Sequence, residues 1–243
     1  MNNKKPNRVF LSIILIILIA SAIIFLLTSP IFLVKTIDVE GNTKFTKEEI
    51  INLSYLKTEK NIFIQRYLKS IYNIKKNPRI LNVYIKFGLP NHLTIKIEER
   101  EEHYQLSTEK GYYIIDDQGY ILKRTDEKQK LVMLKGLTTK ELEKKERLDL
   151  KDLYALEKMN KVYNTIKSLK ILDILSEIEL TNKNYILKFD SEKKIAKIET
   201  NLNDIRSQLL KIKEVILLEK GKEGEIFIDK NDKREYTIFK EKI

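Results

Sequence analysis

The sequence predicts an α+β protein with one N-terminal membrane-spanning helix, and three observations carry that reading. An uncharged apolar run opens the chain. A strand–helix–helix–strand–strand pattern then occupies residues 32–100, and a second mixed unit of antiparallel sheet with helices fills 101–243. At 243 residues the chain has room for two modest domains, each able to bury a core.

From Val9 to Leu27 there is no charge, and only Ser12 and Ser21 interrupt the apolar residues. A helix of that length spans about 28 Å of hydrocarbon. Lys4, Lys5 and Arg8 lie just before it. The positive-inside bias therefore predicts a cytoplasmic tail at 1–8, a transmembrane helix at 9–28 and everything beyond it outside the cytoplasm, a single-pass protein of the plasma (inner) membrane. Thr28, Ser29 and Pro30 end the helix. Ala20, Ser21 and Ala22 resemble a signal-peptide cleavage site, but the apolar run continues through Ile23 to Leu27, where a cleaved leader would turn polar.

The chain carries 46 Lys and Arg against 35 Asp and Glu, a net charge of +11, of which Lys4, Lys5 and Arg8 supply three and leave +8 beyond the membrane. Such a balance suits anionic surroundings: membrane lipid, wall polymers or nucleic acid. Nucleic acid is disfavoured, because the bases are spread along the chain and no arginine run is interleaved with stacking aromatics. The absence of cysteine excludes disulfides, thiol nucleophiles and thiolate metal sites.

In the first unit, Val34, Ile37 and Val39 form a strand that stops at the turn pair Gly41 and Asn42. Thr46 and Glu49 have capping-box spacing, and Ile50, Leu53 and Leu56 give that helix its apolar face. Phe63, Tyr67, Leu68 and Ile71 predict a second helix over Asn61 to Ile74, closed by Pro78. Leu81 to Phe87 and Leu93 to Ile97 alternate as a hairpin around Gly88, Leu89, Pro90 and Asn91.

Beyond Arg100, short strands are predicted near Tyr104, Tyr112 to Ile115 and Tyr120 to Leu122, with Asp117, Gln118 and Gly119 as a turn. Helix returns near Thr138, and Leu153, Leu156, Met159, Val162, Tyr163, Ile166 and Leu169 keep helical spacing. Strands follow at Ile174 to Leu180, Tyr185 to Phe189 and Ile195 to Ile198. The last helix, 202–219, has the stripe Leu202, Ile205, Leu209, Ile212 and Ile216, and Glu225 to Asp229 and Tyr236 to Lys240 close the unit as strands. The final strand has no successor to cover it, so its edge can take a strand from a partner; Lys233, Lys240 and Lys242 are the counter-sign, since lysine also blocks edge pairing.

Nothing in the chain gathers as a catalytic constellation. His92 and His103 are the two imidazoles; one sits in a hairpin loop and the other among Glu101, Glu102 and Tyr104, where a surface ion pair or a bare solvated ring is expected. Asp116 and Asp117 suit the backbone hydrogen bonds of a turn better than acid–base work. Gly221 and Gly224 do not form a phosphate loop. The chain is expected to be non-enzymatic, with no cofactor and no metal.

Several positions together resemble the FtsQ family of cell-division proteins, called DivIB in Gram-positive bacteria. They are Val39, Gly41, Asn42, Pro78, Pro90, Leu93, Glu99 and Arg100 in the first unit, then Ile115, Asp116, Gly119, Tyr120, Leu134 and Gly136. The order of anchor, first unit and β-rich unit is shared as well. The chain departs from the family at Glu101, Glu102, Met133, Lys230 and Asn231.

The resemblance implies that residues 32–100 are a POTRA domain and that the protein is a scaffold at the division septum. It also implies partners similar to FtsL and FtsB (DivIC), and through them a link to septal peptidoglycan synthesis. It places partner contact on the last strands and the helix before them, here at Tyr236, Ile238 and Phe239 with Ile226 and Ile228 beside them. The alternatives are a POTRA-bearing envelope chaperone or secretion factor that binds polypeptides by strand addition, and a wall-modifying enzyme, which the missing catalytic set opposes.

Overall fold

The computed structural model describes residues 8–182, 184–199, 205–231 and 234–242. Contacts divide the chain between Arg100 and Glu101 into two compact units.

The first unit opens with helix α1 (Arg8–Thr28), which buries none of its 21 residues. At about 1.5 Å per residue it is roughly 31 Å long. It is long and apolar enough to cross a bilayer, and a helix apolar on every side with none of its residues buried suggests a membrane anchor. After a 3₁₀ turn at Pro30–Phe32 come β1 (Thr36–Glu40), α2 (Lys47–Ser54), α3 (Tyr67–Lys75), β2 (Ile80–Gly88) and β3 (His92–Glu99). The strand order is β1-β3-β2, with β3 parallel to β1 and antiparallel to β2.

The local rules that predict these elements operate as written. The Thr46 hydroxyl accepts from Glu49 N at 3.2 Å while Glu49 Oε2 accepts from Thr46 N at 2.8 Å, so α2 begins on a complete capping box. Alternation in β2 and β3 delivers Val83, Leu93, Ile95 and Ile97 to one face, where Ile50 of α2 and Ile74 of α3 close the core.

One element is shorter than expected: the second helix does not start at Asn61 but at Tyr67. Residues 59–62 pair instead with the chain leaving α1, through Val34 N to Lys60 O at 3.0 Å and Ile62 N to Phe32 O at 2.8 Å. The buried Asn61 side chain donates to Leu26 O at 2.8 Å and Leu27 O at 3.0 Å, satisfying carbonyls at the end of α1. Apolar residues at helical spacing were therefore recruited by long-range pairing rather than by a local helix.

The second unit contains β4 (Tyr104–Thr108), β5 (Gly111–Ile115), β6 (Ile121–Thr125), β7 (Val132–Lys135), α4 (Leu150–Ser168), β8 (Glu177–Leu180), β9 (Asn184–Phe189), β10 (Lys194–Glu199), α5 (Ile205–Leu218), β11 (Gly224–Asn231) and β12 (Arg234–Glu241). Among the described residues the strands form one nine-stranded sheet, in the order β12-β11-β10-β9-β8-β7-β4-β5-β6. Helices α4 and α5 pack onto it through Leu156, Met159, Val162 and Ile166 of the first and Leu209, Ile212 and Ile216 of the second.

The sheet is not wholly antiparallel. The pairs β4–β7, β7–β8 and β10–β11 are parallel. Strand β7 was not anticipated, and the helix expected near Thr138 is absent: α4 starts at Leu150, with only a 3₁₀ turn at Leu142–Lys144 before it. Asp152 of α4 accepts from the amide and hydroxyl of Thr138 at 3.1 and 3.3 Å, which ties that residue to the helix as a loop. Leu202, Lys233, Lys4 and Lys5 lie outside the described residues.

Candidate partner edge and the turn of the first unit

Strand β12 is at one margin of the large sheet. Its neighbour β11 holds it in an unbroken antiparallel register from Gly224↔Glu241 to Asn231↔Arg234. Lys242 N donates to Glu223 O at 2.9 Å, which sets the direction of the β12 amides before it. Successive backbone groups in a strand point to opposite sides, so Lys240, Ile238 and Tyr236 turn theirs inward to β11, and Glu241, Phe239 and Thr237 turn theirs to the open margin.

The opposite margin differs. Beside the start of β6, Ile121 N donates to Glu146 O and Leu148 N to Gly119 O, both at 2.9 Å, so residues 146–148 cover it. Among the described residues no such segment lies along β12.

Side chains on β11 and β12 divide by parity. Ile226 is fully buried, and Ile228 and Phe239 pack partly buried against the core. The Phe239 ring lies 5.8 Å from the buried Lys194 ammonium. On the other face Tyr236 is 49% exposed and Ile238 46%, and Ile238 stands opposite Phe227. The Lys197 ammonium covers the Phe227 ring at 5.1 Å. A cleft of about 380 Å³ opens beside them, lined in part by Ile195, Phe227 and Lys240. Of the five residues singled out on these strands, Tyr236 and Ile238 are thus presented outward, while Ile226, Ile228 and Phe239 seat the strand pair on the helices.

In the first unit, Gly41 and Asn42 form a turn whose anchor is Glu99, at the far end of β3. Gly41 has φ +80°, and a Cβ there would lie 2.2 Å from Ile97 O. Just beyond, the Glu99 carboxylate accepts from Thr43 N and Oγ1 at 2.8 and 2.7 Å, from Lys44 N at 3.1 Å and from Phe45 N at 3.4 Å. Partial burial works against the charged form of Glu99, but the Thr43 hydroxyl and these three amides outweigh it and hold its pKa below the ordinary value. Asn42 Nδ2 completes the turn by donating to Phe45 O at 2.8 Å. The sequence pattern gives Gly41 and Asn42 as a turn pair with Glu99 apart from it; the fold joins all three.

The candidate chemical residues are engaged structurally. His92 Nδ1 lies 2.6 Å from Thr36 Oγ1 and its Nε2 3.2 Å from Thr94 Oγ1, while His103 lies 4.0 Å from the Glu101 carboxylate. Asp116 is buried and accepts from Gln118 N at 3.0 Å and Tyr120 N at 2.7 Å, the hydrogen bonds of a turn. Among the described residues, no three His, Asp or Glu side chains cluster as a metal site would need.

An apolar helix followed by a compact β-α-α-β-β unit and a β-rich unit defines a POTRA-bearing protein with a candidate membrane anchor. A family model for the FtsQ-type POTRA domain matches residues 32–100. The chain is 31% identical over 182 residues to the cell division protein DivIB of Clostridium botulinum (strain Hall), covering 74% of this chain and 71% of that one. It is 38% identical over 128 residues to DivIB of Clostridium tetani, covering 52% of this chain and 48% of the relative. With DivIB of Bacillus subtilis the identity is 32% over 120 residues, 49% of this chain and 46% of the relative. In these last two comparisons the chain spans less than half the relative's length. The chain belongs to the FtsQ/DivIB family of cell-division proteins. Membership supports a role in cell division, and neither the family model nor the names of these relatives denote an enzyme.

Proposed function

We propose that the chain is a non-enzymatic, single-pass scaffold of the division complex. Its N-terminus lies in the cytoplasm, and both compact units lie outside, at the septal membrane. Its β12 edge receives an extended segment from small single-pass division proteins similar to FtsL and FtsB/DivIC, and so ties them to septal peptidoglycan synthesis. The observation that carries this reading is the margin itself: Thr237, Phe239 and Glu241 direct backbone groups outward beside the exposed side chains of Tyr236 and Ile238. An added strand would continue the ladder, and Tyr236 and Ile238 would select its side chains.

A fluorescent fusion followed through growth tests the cellular part. Enrichment at midcell before constriction is the expected result; an even distribution around the envelope would overturn it. A reporter active only outside the cytoplasm, fused after Ile243, should be active, because the basic tail is retained inside.

A further inference from the structure

The surface next to the end of α1 combines two features that a lipid headgroup layer would satisfy together. Among residues 55–76 the charges are Lys57, Lys60, Arg66, Lys69, Lys75 and Lys76 against Glu59 alone. Lys57, Lys60, Arg66 and Lys69 line one cleft of about 350 Å³ between α2 and α3, together with Gln65 and Ser70. Gln65 braces its wall, accepting from Lys57 N at 2.9 Å and donating to Lys57 O at 3.0 Å. None of the four basic side chains makes an ion pair among the described residues, whereas the nearby Lys47 is paired with Asp38 at 2.5 Å.

The second feature is apolar. Ile31, Phe63, Ile64 and Leu68 are exposed, Leu68 to 86%. Ile31 lies in the segment that leaves α1, Phe63 and Ile64 directly follow the residues that pair with that segment, and Leu68 is in the first turn of α3. Phe32 packs on both Phe25 of α1 and Phe63, with centroids at 6.2 and 5.2 Å, and Asn61 binds carbonyls at the end of α1. Lys60 is one residue from that anchor. In water, exposed Phe, Ile and Leu beside unpaired cations are unfavourable; at a bilayer interface the apolar side chains enter the acyl boundary and the cations meet phosphate.

We propose that this cleft binds the phosphate of an anionic phospholipid in the leaflet from which α1 emerges, and that Ile31, Phe63, Ile64 and Leu68 dip into the same leaflet. The POTRA unit is thereby held against the membrane by more than its covalent link. The inference rests on α1 lying in the bilayer.

The test uses the full chain with Leu68→Cys as its only thiol, since the natural sequence has none. The thiol carries an environment-sensitive fluorophore, and the protein is placed in nanodiscs of phosphatidylcholine alone or with one-third phosphatidylglycerol. Co-elution with the discs reports insertion of α1; failure there removes the anchor and this proposal with it. In inserted protein, brominated lipid should quench the label at least twofold more in the phosphatidylglycerol discs. Lys57→Gln, Lys60→Gln, Arg66→Gln and Lys69→Gln together should abolish that difference without changing the far-ultraviolet circular dichroism. A second variant, Lys57→Gln with Arg66→Gln, should lower it and serves if the fourfold variant misfolds. Equal quenching in the two lipids would overturn the proposal. So would release of the label from phosphatidylglycerol discs by soluble poly(glycerol phosphate), which would assign the cleft to a wall polymer instead.

Discussion

Replacing Gly41 with alanine should unfold the first unit more easily than any surface substitution, and the magnitude can be worked from its geometry. At φ +80° an L residue costs about 1–2 kcal/mol relative to glycine. The added Cβ would also lie 2.2 Å from Ile97 O, a backbone atom of a strand whose side chain is in the core, so β3 or the turn must move. Overpacking of this kind costs roughly another 1–3 kcal/mol. The total is about 2–5 kcal/mol, enough to lower the midpoint of a unit of this size by about 10 °C or more.

Gly221 supplies the control. It too has positive φ, +81°, but a Cβ there meets nothing within 4 Å. Gly221→Ala should therefore cost only the backbone part, about 1–2 kcal/mol. Urea unfolding of the chain without α1, read by hydrogen exchange at the Val39 and Ile95 amides, measures the first case; exchange at Ile226 measures the second. A Gly41→Ala protein within about 0.5 kcal/mol of its parent, the scatter expected of neutral surface changes, would refute the close approach at Ile97.

Three further outcomes are expected. Glu99 is held below the ordinary 4.5, so its contribution is complete above that value and is lost as pH falls through its lower folded pKa; Glu99→Gln should flatten this acid limb of the first unit's stability, and an unchanged pH profile would contradict the assignment. Asn61→Ala should destabilise the same unit by about 1–3 kcal/mol by stripping the Leu26 and Leu27 carbonyls and the Phe63 amide of their partner, measured by denaturation in detergent. Thr237→Pro, which removes an outward donor, should leave the melting midpoint near the parent's and abolish partner capture, whereas Ile238→Pro should weaken the fold because its amide faces β11. Normal capture by Thr237→Pro would take this margin out of the mechanism.

Much of this was readable from local chemistry. The Thr46–Glu49 box, the alternation of β2 and β3, and the stripes of α4 and α5 each express a rule that acts within a few residues. Distant pairing was not readable. Asn61 and Ile62 fall within a stretch of helical spacing but pair with the chain leaving α1, and β7 has only four residues, whose two parallel neighbours lie far away in sequence. The alternation that predicts the final strands is local, yet which amides face outward depends on the register with Glu223 to Asn231. The same dependence separates Tyr236 and Ile238, which face out, from Ile226, Ile228 and Phe239, which support them. The basic cleft was hidden for a related reason: Lys57, Lys60, Arg66 and Lys69 read as scattered surface charge until α2 and α3 bring them together.

Amide hydrogen exchange along β12, with and without the extracytoplasmic segment of a partner similar to FtsB/DivIC, bears most directly on the proposed scaffold role. Strand addition predicts that Thr237, Phe239 and Glu241 gain protection on binding, while Ile238 and Lys240, already bonded to β11, change little. Binding that protects no residue of β12, or protects all of them alike, would contradict it.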